Sequence, residues 1–131
     1  MSFSKVRNAH KTENTEDYLE LISDLLSKNG EARIVDIANT LDIAQATANK
    51  TIKRLQSQGY IKREPYRSIF LTLKGQKIAS KSKKRHNIVY QFLLNLGLDL
   101  KVAAADAEGI EHHVSQKTLK KMEKYNKTKK K

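Results

Sequence analysis

The sequence contains no cysteine, which excludes disulfide bonds, zinc ribbons and thiol catalysis together. No run of about eighteen apolar residues occurs, so the sequence offers no candidate for a transmembrane helix. The amino terminus, Met1 to Lys5, lacks the apolar core of a signal peptide, and no internal repeat is evident. These absences predict a soluble cytoplasmic protein that does not associate with membranes.

Positive charge dominates the composition. Lysine and arginine number 26 against 14 aspartates and glutamates, which gives a formal net charge of +12 over 131 residues. A chain of this length is about one ordinary domain or two small modules. Its sequence pI of about 9.9 indicates a strongly cationic surface. Nucleic acid is therefore the partner that the composition favours.

The stretch from Asp106 to His113 concentrates carboxylate and imidazole groups within two helical turns. Glu108, Glu111 and His112 are spaced i, i+3 and i+4, so they point the same way from a helix. Oxygen and imidazole donors without thiolate favour a hard or borderline cation such as manganese or ferrous iron. Three ligands are too few for such an ion, so we expect the rest of the site elsewhere in the chain.

Two other interpretations of this stretch stay open. Glutamate and histidine at helical spacing often form a solvated face that binds nothing. The stretch also approaches the H-x-x-E-H pattern of inverted zinc peptidases, but Glu108 stands where that pattern has its first histidine. This departure weakens the interpretation as an enzyme.

The amino-terminal region predicts a basic arm followed by a helix. Residues 1–14 show no clear apolar period and are expected to form a flexible arm. From about Thr15 to Gly30 a wide apolar stripe predicts a helix. Asp17 and Glu20 lie in an acidic row along its border. They are either part of a metal site or acids that complement the helix dipole.

The region after this helix predicts a winged helix-turn-helix. Two amphipathic helices, at 32–41 and 45–58, are joined by a brief turn. Residues 60–63 and 68–72 alternate in polarity on either side of 64–67, which predicts a hairpin that serves as the wing. A generic helical domain with a hairpin is the alternative, because the helix-turn-helix pattern is degenerate.

The second of these helices begins with polar side chains suited to base recognition. Glutamine and asparagine pair bidentately with adenine, and a threonine methyl meets a thymine methyl, which indicates a half-site with A·T pairs. Cationic side chains farther along and in the wing are expected to contact phosphates. An ordinary solvated helix start is the alternative. The predicted base contacts are Gln45, Thr47, Asn49 and Lys50, and the predicted phosphate contacts are Lys53, Arg54 and Arg67.

The carboxy-terminal half predicts three helices. In the first, over 74–96, His86 lies at the edge of an apolar stripe, where a lone histidine is usually a core residue. Asp99 is expected to cap the second helix, which carries the ligand stretch to Val114. Ser115 is expected to cap the third.

Three segments together resemble the diphtheria toxin repressor family of metal-dependent winged-helix transcription regulators. They are Glu-Asp-Tyr-Leu-Glu-Leu-Ile from residue 16, Arg85-His86, and Asp-Ala-Glu-Gly-Ile-Glu-His-His from residue 106. The resemblance implies a mainly α fold with an N-terminal winged helix-turn-helix domain, which bears a small β-hairpin wing, and a C-terminal helical dimerisation and metal-binding domain. We expect these domains at 15–73 and 74–126, with a basic tail at 127–131.

The resemblance also implies a ligand set and a regulatory role. In iron-responsive relatives the positions of Asp17 and Glu108 tend to hold softer sulfur ligands, so carboxylates there indicate Mn(II), with Fe(II) as the alternative. Four carboxylates carry a charge of about −4, which fits a binuclear centre. The implied protein is a non-enzymatic homodimer that binds a palindromic operator in double-stranded DNA and represses manganese uptake genes. The implied metal ligands are Asp17, Glu20, His86, Glu108, Glu111 and His112.

One departure and three alternatives accompany this interpretation. The family often begins its recognition helix with Ser or His and then Pro, where this chain has Ala44 and Ala46. Loss of a side-chain cap costs a helix about 0.5 to 2 kcal/mol. The alternatives are an iron-responsive regulator of the same family, a metal-independent winged-helix regulator whose acids are merely solvated, and a metallohydrolase. The last needs an open coordination position, which six protein ligands hardly leave.

Overall fold

The structure, a computed structural model, describes residues 3–64 and 68–129, and within the first helix it describes side chains from Asn14 onward. The chain separates into two compact units, of which the first ends at Ser80 and the second begins at Lys81. The described residues form six helices and one two-stranded hairpin, which confirms the predicted mainly α fold. None of the described helices combines the length and the apolar character that a bilayer span requires.

The first helix, α1 (Phe3–Asn29), begins earlier than the sequence suggested. The predicted start near Thr15 is wrong, because residues 3–14, expected to form a flexible arm, are helical. Once a helix has formed, each added residue gains a backbone hydrogen bond, so a helix can extend past its packed part without an apolar stripe.

The packed part of α1 begins at Thr15. This side chain is buried, and so are Tyr18, Leu19 and Ile22, which follow it at i+3, i+4 and i+7 on the same face of the helix. They join the apolar core of the first unit. The helix ends before Gly30 as predicted, where a φ of 75° favours glycine.

Two short helices, α2 (Ile34–Leu41) and α3 (Gln45–Ser57), form the predicted helix-turn-helix. The turn passes through Asp42, whose φ of 55° lies in the left-handed region that a short polar side chain tolerates. Ala44 precedes α3 without a side-chain cap, as the sequence indicates. The buried residues of the two helices are Ile37, Ala38, Ala48, Ile52 and Leu55.

The predicted wing consists of two antiparallel strands, β1 (Ile61–Arg63) and β2 (Ile69–Leu71). The amide of Ile69 donates to the Ala32 carbonyl at 2.8 Å, which attaches the hairpin to the segment before α2. The expected turn includes residues 65–67, which lie outside the described residues. The register places Ile61 opposite Leu71, Lys62 opposite Phe70 and Arg63 opposite Ile69.

The long helix α4 (Leu73–Asn95) begins in the first unit and continues into the second, which also contains α5 (Leu100–Ile110) and α6 (Gln116–Lys129). Apolar side chains from all three helices form the separate core of the second unit, because each helix presents an apolar face to the others. The buried members of this core are Val89, Leu93, Ala103, Ala107 and Leu119.

The predicted caps of α5 and α6 are confirmed. Oδ1 of Asp99 accepts a hydrogen bond from the third residue of α5 at 2.8 Å, and Oγ of Ser115 accepts from the third residue of α6 at 3.1 Å. The predicted end of α5 at Val114 is wrong, because the helix stops at Ile110 and a turn follows. Helix α6 continues to Lys129, so residues 127–129 of the expected basic tail are helical.

Candidate metal centre and nucleic-acid interface

Four of the six predicted metal ligands lie in the second unit and cluster there. His86, Glu108 and Glu111 each place one ligand atom within 4.8 Å of the others. Nδ1 of His86 lies 3.5 Å from Oε1 of Glu108 and 3.4 Å from Oε1 of Glu111. Nε2 of His112 lies 3.7 Å from the same Glu111 oxygen. Glu111 is therefore the centre of this carboxylate–imidazole cluster.

Three backbone settings position the cluster. His86 lies on α4, and its ring stacks on Tyr90 one turn later, with the centroids 6.0 Å apart. Glu108 lies in the last turn of α5 with an exposed side chain, whereas Glu111 lies just past the helix end with its side chain fully buried. Nη1 of Arg85 donates to the Glu111 carbonyl at 3.5 Å and so supports this turn.

The cluster has the chemistry and the dimensions of a divalent-cation site. Divalent cations bind oxygen and imidazole donors at about 2.0 to 2.6 Å, so ligands on opposite sides of an ion lie up to about 5 Å apart. The separations of 3.4 to 4.8 Å satisfy this limit. Nδ1 of His86 is buried and forms no aligned hydrogen bond within the described residues, although carboxylate oxygens lie close to it. These observations fit a hard or borderline metal ion.

The two remaining predicted ligands, Asp17 and Glu20, lie on α1 in the first unit. They are three residues apart and share one face of the helix, and both are half-buried. At about 100° per residue, this face is opposite the one that carries Thr15, Tyr18 and Ile22 into the winged-helix core. The helix therefore separates its carboxylates from its packing face.

The start of α3 presents most of the predicted base contacts on the surface. Gln45, Thr47 and Lys50 are exposed. Asn49 is half-buried, and its Oδ1 accepts a hydrogen bond from Nη1 of Arg63 at 2.5 Å. The amide of Asn49 is thus fixed by the wing, whereas the three exposed side chains are open to solvent.

The predicted phosphate contacts have three different settings. Lys53 is exposed on α3, whereas Arg54 is half-buried and bonded within the first unit. Nη1 of Arg54 donates to Oγ1 of Thr15, and Nη2 donates to Oδ1 of Asn14. Arg67 lies outside the described residues.

Two arginines have roles that the sequence reasoning missed. Strand alternation places Arg63 on the same face of β1 as the buried Ile61, a signal that it faces the helices and not solvent. The bond from Arg54 to Thr15 spans 39 positions in the chain, and no local pattern indicates it.

Family models and curated relatives agree on the kind of protein this chain resembles. The model described as iron dependent repressor, N-terminal DNA binding domain, matches residues 10–69, and that of the metal binding and dimerisation domain matches 72–131. The transcriptional regulator MntR of Salmonella typhimurium is 53% identical over 117 residues, which cover 89% of this chain and 74% of that protein. The HTH-type transcriptional regulator MntR of Bacillus subtilis is 38% identical over 108 residues, covering 82% and 76%.

Solved structures give the same picture of the fold. The manganese regulator SloR is 26% identical, with a TM-score of 0.75, and the match covers 85% of this chain and 52% of that one. The metal-dependent transcriptional regulator MtsR is 25% identical, with a TM-score of 0.79, and the match covers 87% and 54%. This chain spans about half the length of these two structures.

Proposed function

Because the chain belongs to the iron dependent repressor family, as its similarity to the MntR regulators shows, we propose that it is a manganese-responsive DNA-binding repressor. It binds a palindromic operator as a homodimer in the cytoplasm and represses genes for manganese uptake. The observation that carries the metal dependence is the convergence of His86, Glu108 and Glu111 in the second unit.

The donor set supports manganese over softer metals. Carboxylates stand at Asp17 and Glu108, and the chain has no cysteine to supply a thiolate. A site with four carboxylates carries a charge of about −4, which two divalent cations neutralise, so we propose a binuclear Mn(II) centre. Its ligands are Asp17, Glu20, His86, Glu108, Glu111 and His112.

The proposed mechanism is a restriction of motion. Without metal, the carboxylates of α1 and those near the end of α5 repel one another, and the DNA-binding half moves relative to the dimerising half. With their charge neutralised, Asp17 and Glu20 hold α1 in one arrangement. Two recognition helices of a dimer enter successive major grooves only when they lie about 34 to 36 Å apart, or a multiple of it. Fewer accessible arrangements lower the entropic cost of binding DNA.

The homodimer has a candidate interface in the second unit. Large apolar side chains are exposed between the end of α4 and the first turn of α5, and a group of exposed apolar side chains often marks a protein–protein contact. A second copy of the chain, covering this surface by two-fold symmetry, removes it from water. We define the 96–102 patch as Leu96, Leu98, Leu100 and Val102.

The DNA contacts proposed for α3 follow from exposure and chemistry. Gln45, Thr47 and Lys50 reach base edges, and Asn49 does so from a side chain that Arg63 orients. Lys53 contacts a phosphate, and so does Arg67 in the wing. Arg54 differs from them, because its guanidinium already has bonding partners inside the first unit.

A gel-shift titration tests the proposed function. The probe is a duplex selected from a random-sequence pool by the manganese-loaded protein, and parallel lanes contain Mn(II), Fe(II), Zn(II) or a chelator. We expect tight binding with Mn(II) and weak binding with chelator. Equal binding in all lanes identifies a metal-independent regulator, and activation by Fe(II) in preference to Mn(II) identifies an iron-responsive one.

Thermodynamic linkage supplies an independent test. If manganese tightens DNA binding by some factor, the same duplex tightens manganese binding by that factor, typically about 5- to 150-fold. Manganese affinity is measured by electron paramagnetic resonance with and without the duplex. An affinity that the duplex leaves unchanged contradicts the proposed mechanism.

A further inference from the structure

Arg54 connects the recognition helix α3 to α1 through its guanidinium. Nη1 donates to Oγ1 of Thr15 at 3.1 Å and to Oε1 of Gln58 at 3.1 Å, while Nη2 donates to Oδ1 of Asn14 at 3.2 Å. The five N–H donors of a guanidinium lie in one rigid plane, so bonds from both terminal nitrogens fix its orientation. The Arg54 side chain is therefore a polar tie between two helices.

Thr15, which accepts the hydrogen bond from Arg54, lies on the packed face of α1. Thr15 is 9% exposed and begins the packed face of the helix. Asp17 and Glu20 lie two and five residues later on the opposite face, within about 7.5 Å of Thr15 along the axis. A force that holds the carboxylates of α1 is thus applied within about one and a half helical turns of Thr15, the side chain that Arg54 contacts.

We propose that Arg54 is a positioning residue that transmits the state of α1 to α3, and that it is not a phosphate contact. This inference rests on the proposed metal-dependent function. When Asp17 and Glu20 are held by metal, the orientation of α1 is fixed, and the tie from Arg54, in the last turn of α3, makes that helix follow it.

The charge distribution of α3 supports this role. Lys53 is exposed on α3, so the helix has a cation suited to phosphate without Arg54. Arg54 is half-buried, and turning its guanidinium toward DNA requires breaking the bonds to Thr15 and Asn14. A lysine at this position offers a point charge and cannot hold two oxygens in the same plane.

The test compares Thr15→Val, Arg54→Lys and the charge-removing Arg54→Gln with Lys53→Gln as the control. The Thr15→Val change removes the acceptor, keeps the side-chain volume and touches no phosphate. The dissociation constant for the selected duplex is measured with saturating Mn(II) and with chelator, over a range of salt concentrations. The ratio of the two constants is the activation ratio.

We expect Thr15→Val and Arg54→Lys each to lower the activation ratio by about tenfold and to leave the salt slope of the manganese-loaded protein unchanged. We expect Lys53→Gln to keep the activation ratio and to reduce the salt slope by about one. Manganese affinity without DNA stays at the wild-type value in Thr15→Val, whereas its gain on adding the duplex shrinks.

Other outcomes overturn the inference. If Arg54→Gln reduces the salt slope by about one while Thr15→Val matches the wild type, Arg54 is a phosphate contact. If Thr15→Val weakens binding equally with Mn(II) and with chelator, the tie is merely structural. If metal does not activate DNA binding by the wild-type protein, the proposed function itself is contradicted. If metal activates the wild type and the Thr15 and Arg54 variants equally, only this inference is contradicted.

Discussion

Glu111 is the side chain on which the candidate metal centre depends most. One of its oxygens lies 3.4 Å from the His86 imidazole and 3.7 Å from that of His112, and the carboxylate is fully buried. We expect Glu111→Gln, which keeps the shape and removes the charge, to lower manganese affinity by about 100-fold or more, since loss of even an outer-shell partner costs about 10- to 100-fold. Paramagnetic resonance titration measures this affinity.

A matched control separates this effect from a general change in charge. Asp106→Asn alters the same formal charge in the same stretch, at an exposed side chain outside the cluster. We expect manganese to raise the melting temperature of the wild type and of this control, because a ligand that binds only the folded state stabilises it. An equal rise in Glu111→Gln contradicts the assignment of Glu111 as a ligand.

The sequence predicted residues that the structure brings together in the carboxylate–imidazole cluster, but it did not predict the backbone setting of each one. The spacing of Glu108 and Glu111 indicated a shared face, and these two side chains do meet at His86. The end of α5 at Ile110 was missed because no proline or left-handed glycine marks it. The bond from Arg63 to Asn49 depends on how the wing approaches α3, which periodicity along either element does not encode.

At the scale of elements, α3 begins without a side-chain hydrogen bond at its N-cap. Ala44 has the extended backbone of an N-cap residue, with φ −67° and ψ 146°, but no side chain to accept a hydrogen bond. We expect Ala44→Ser to raise the free energy of unfolding by about 0.5 to 2 kcal/mol, because its hydroxyl can accept from an amide of the first turn. Urea titration followed by circular dichroism measures the change.

The neighbouring alanine provides the control for this prediction. Ala46 lies inside the first turn of α3, where a serine cannot cap and has a lower helix propensity. We expect Ala46→Ser to leave stability unchanged or slightly reduced. A gain of similar size in both variants indicates that the cap geometry is not the cause.

Near the start of α4, the backbone at Gly75 lies so close to the backbone of Tyr60 that no side chain fits there. The amide of Gly75 donates to Oγ1 of Thr72, and a Cβ on Gly75 collides with the backbone carbonyl of Tyr60. That carbonyl also accepts from the Thr72 amide, so it cannot withdraw freely. We expect Gly75→Ala to lower the free energy of unfolding by about 1 to 3 kcal/mol, measured in urea.

The opposite sign is expected for the glycine of α5. A Cβ on Gly109 meets nothing within 4 Å. Alanine is favoured over glycine in a helix by about 1 kcal/mol, so Gly109→Ala should stabilise the protein. A Gly75→Ala variant that unfolds at a higher urea concentration than the wild type contradicts the steric argument.

The starts of α5 and α6 were more predictable from the sequence than the start of α1. Asp99 and Ser115 were identified as caps because a short polar side chain before an apolar period is a local signal, and the structure confirms both. The start of α1 was not predictable in this way. Residues 3–14 show no apolar period, and the helix there extends from the packed part that begins at Thr15.

For the whole molecule, charge and apolar surface have separate roles. The net charge of +12 attracts any polyanion, and salt strongly weakens this attraction. The charge therefore supplies affinity for DNA without sequence preference. In the proposed mechanism, sequence preference and metal response depend on placing two recognition helices at a fixed separation, which needs a stable dimer. Composition predicted the first property, whereas the exposed apolar side chains proposed to serve the second became visible only in the folded structure.

A substitution in the 96–102 patch tests whether this surface is the dimer interface. Leu100 is 67% exposed, and in the proposed interface two-fold symmetry places it twice. Burial of a leucine side chain contributes about 1.5 to 3 kcal/mol, so we expect Leu100→Glu to raise the dimer dissociation constant by about 100-fold or more. Sedimentation equilibrium measures this constant. The control is Leu73→Glu, at a side chain 76% exposed in the first unit, which should stay dimeric.

The same pair of variants connects assembly to DNA recognition. A Leu100→Glu monomer keeps its recognition helix, so we expect its affinity for a single half-site to match that of the wild type. On a duplex with both half-sites it loses the gain that comes from binding two linked sites at once, which is commonly about 10²- to 10⁴-fold. If Leu100→Glu remains dimeric and binds the full duplex like Leu73→Glu, the interface lies elsewhere on the second unit.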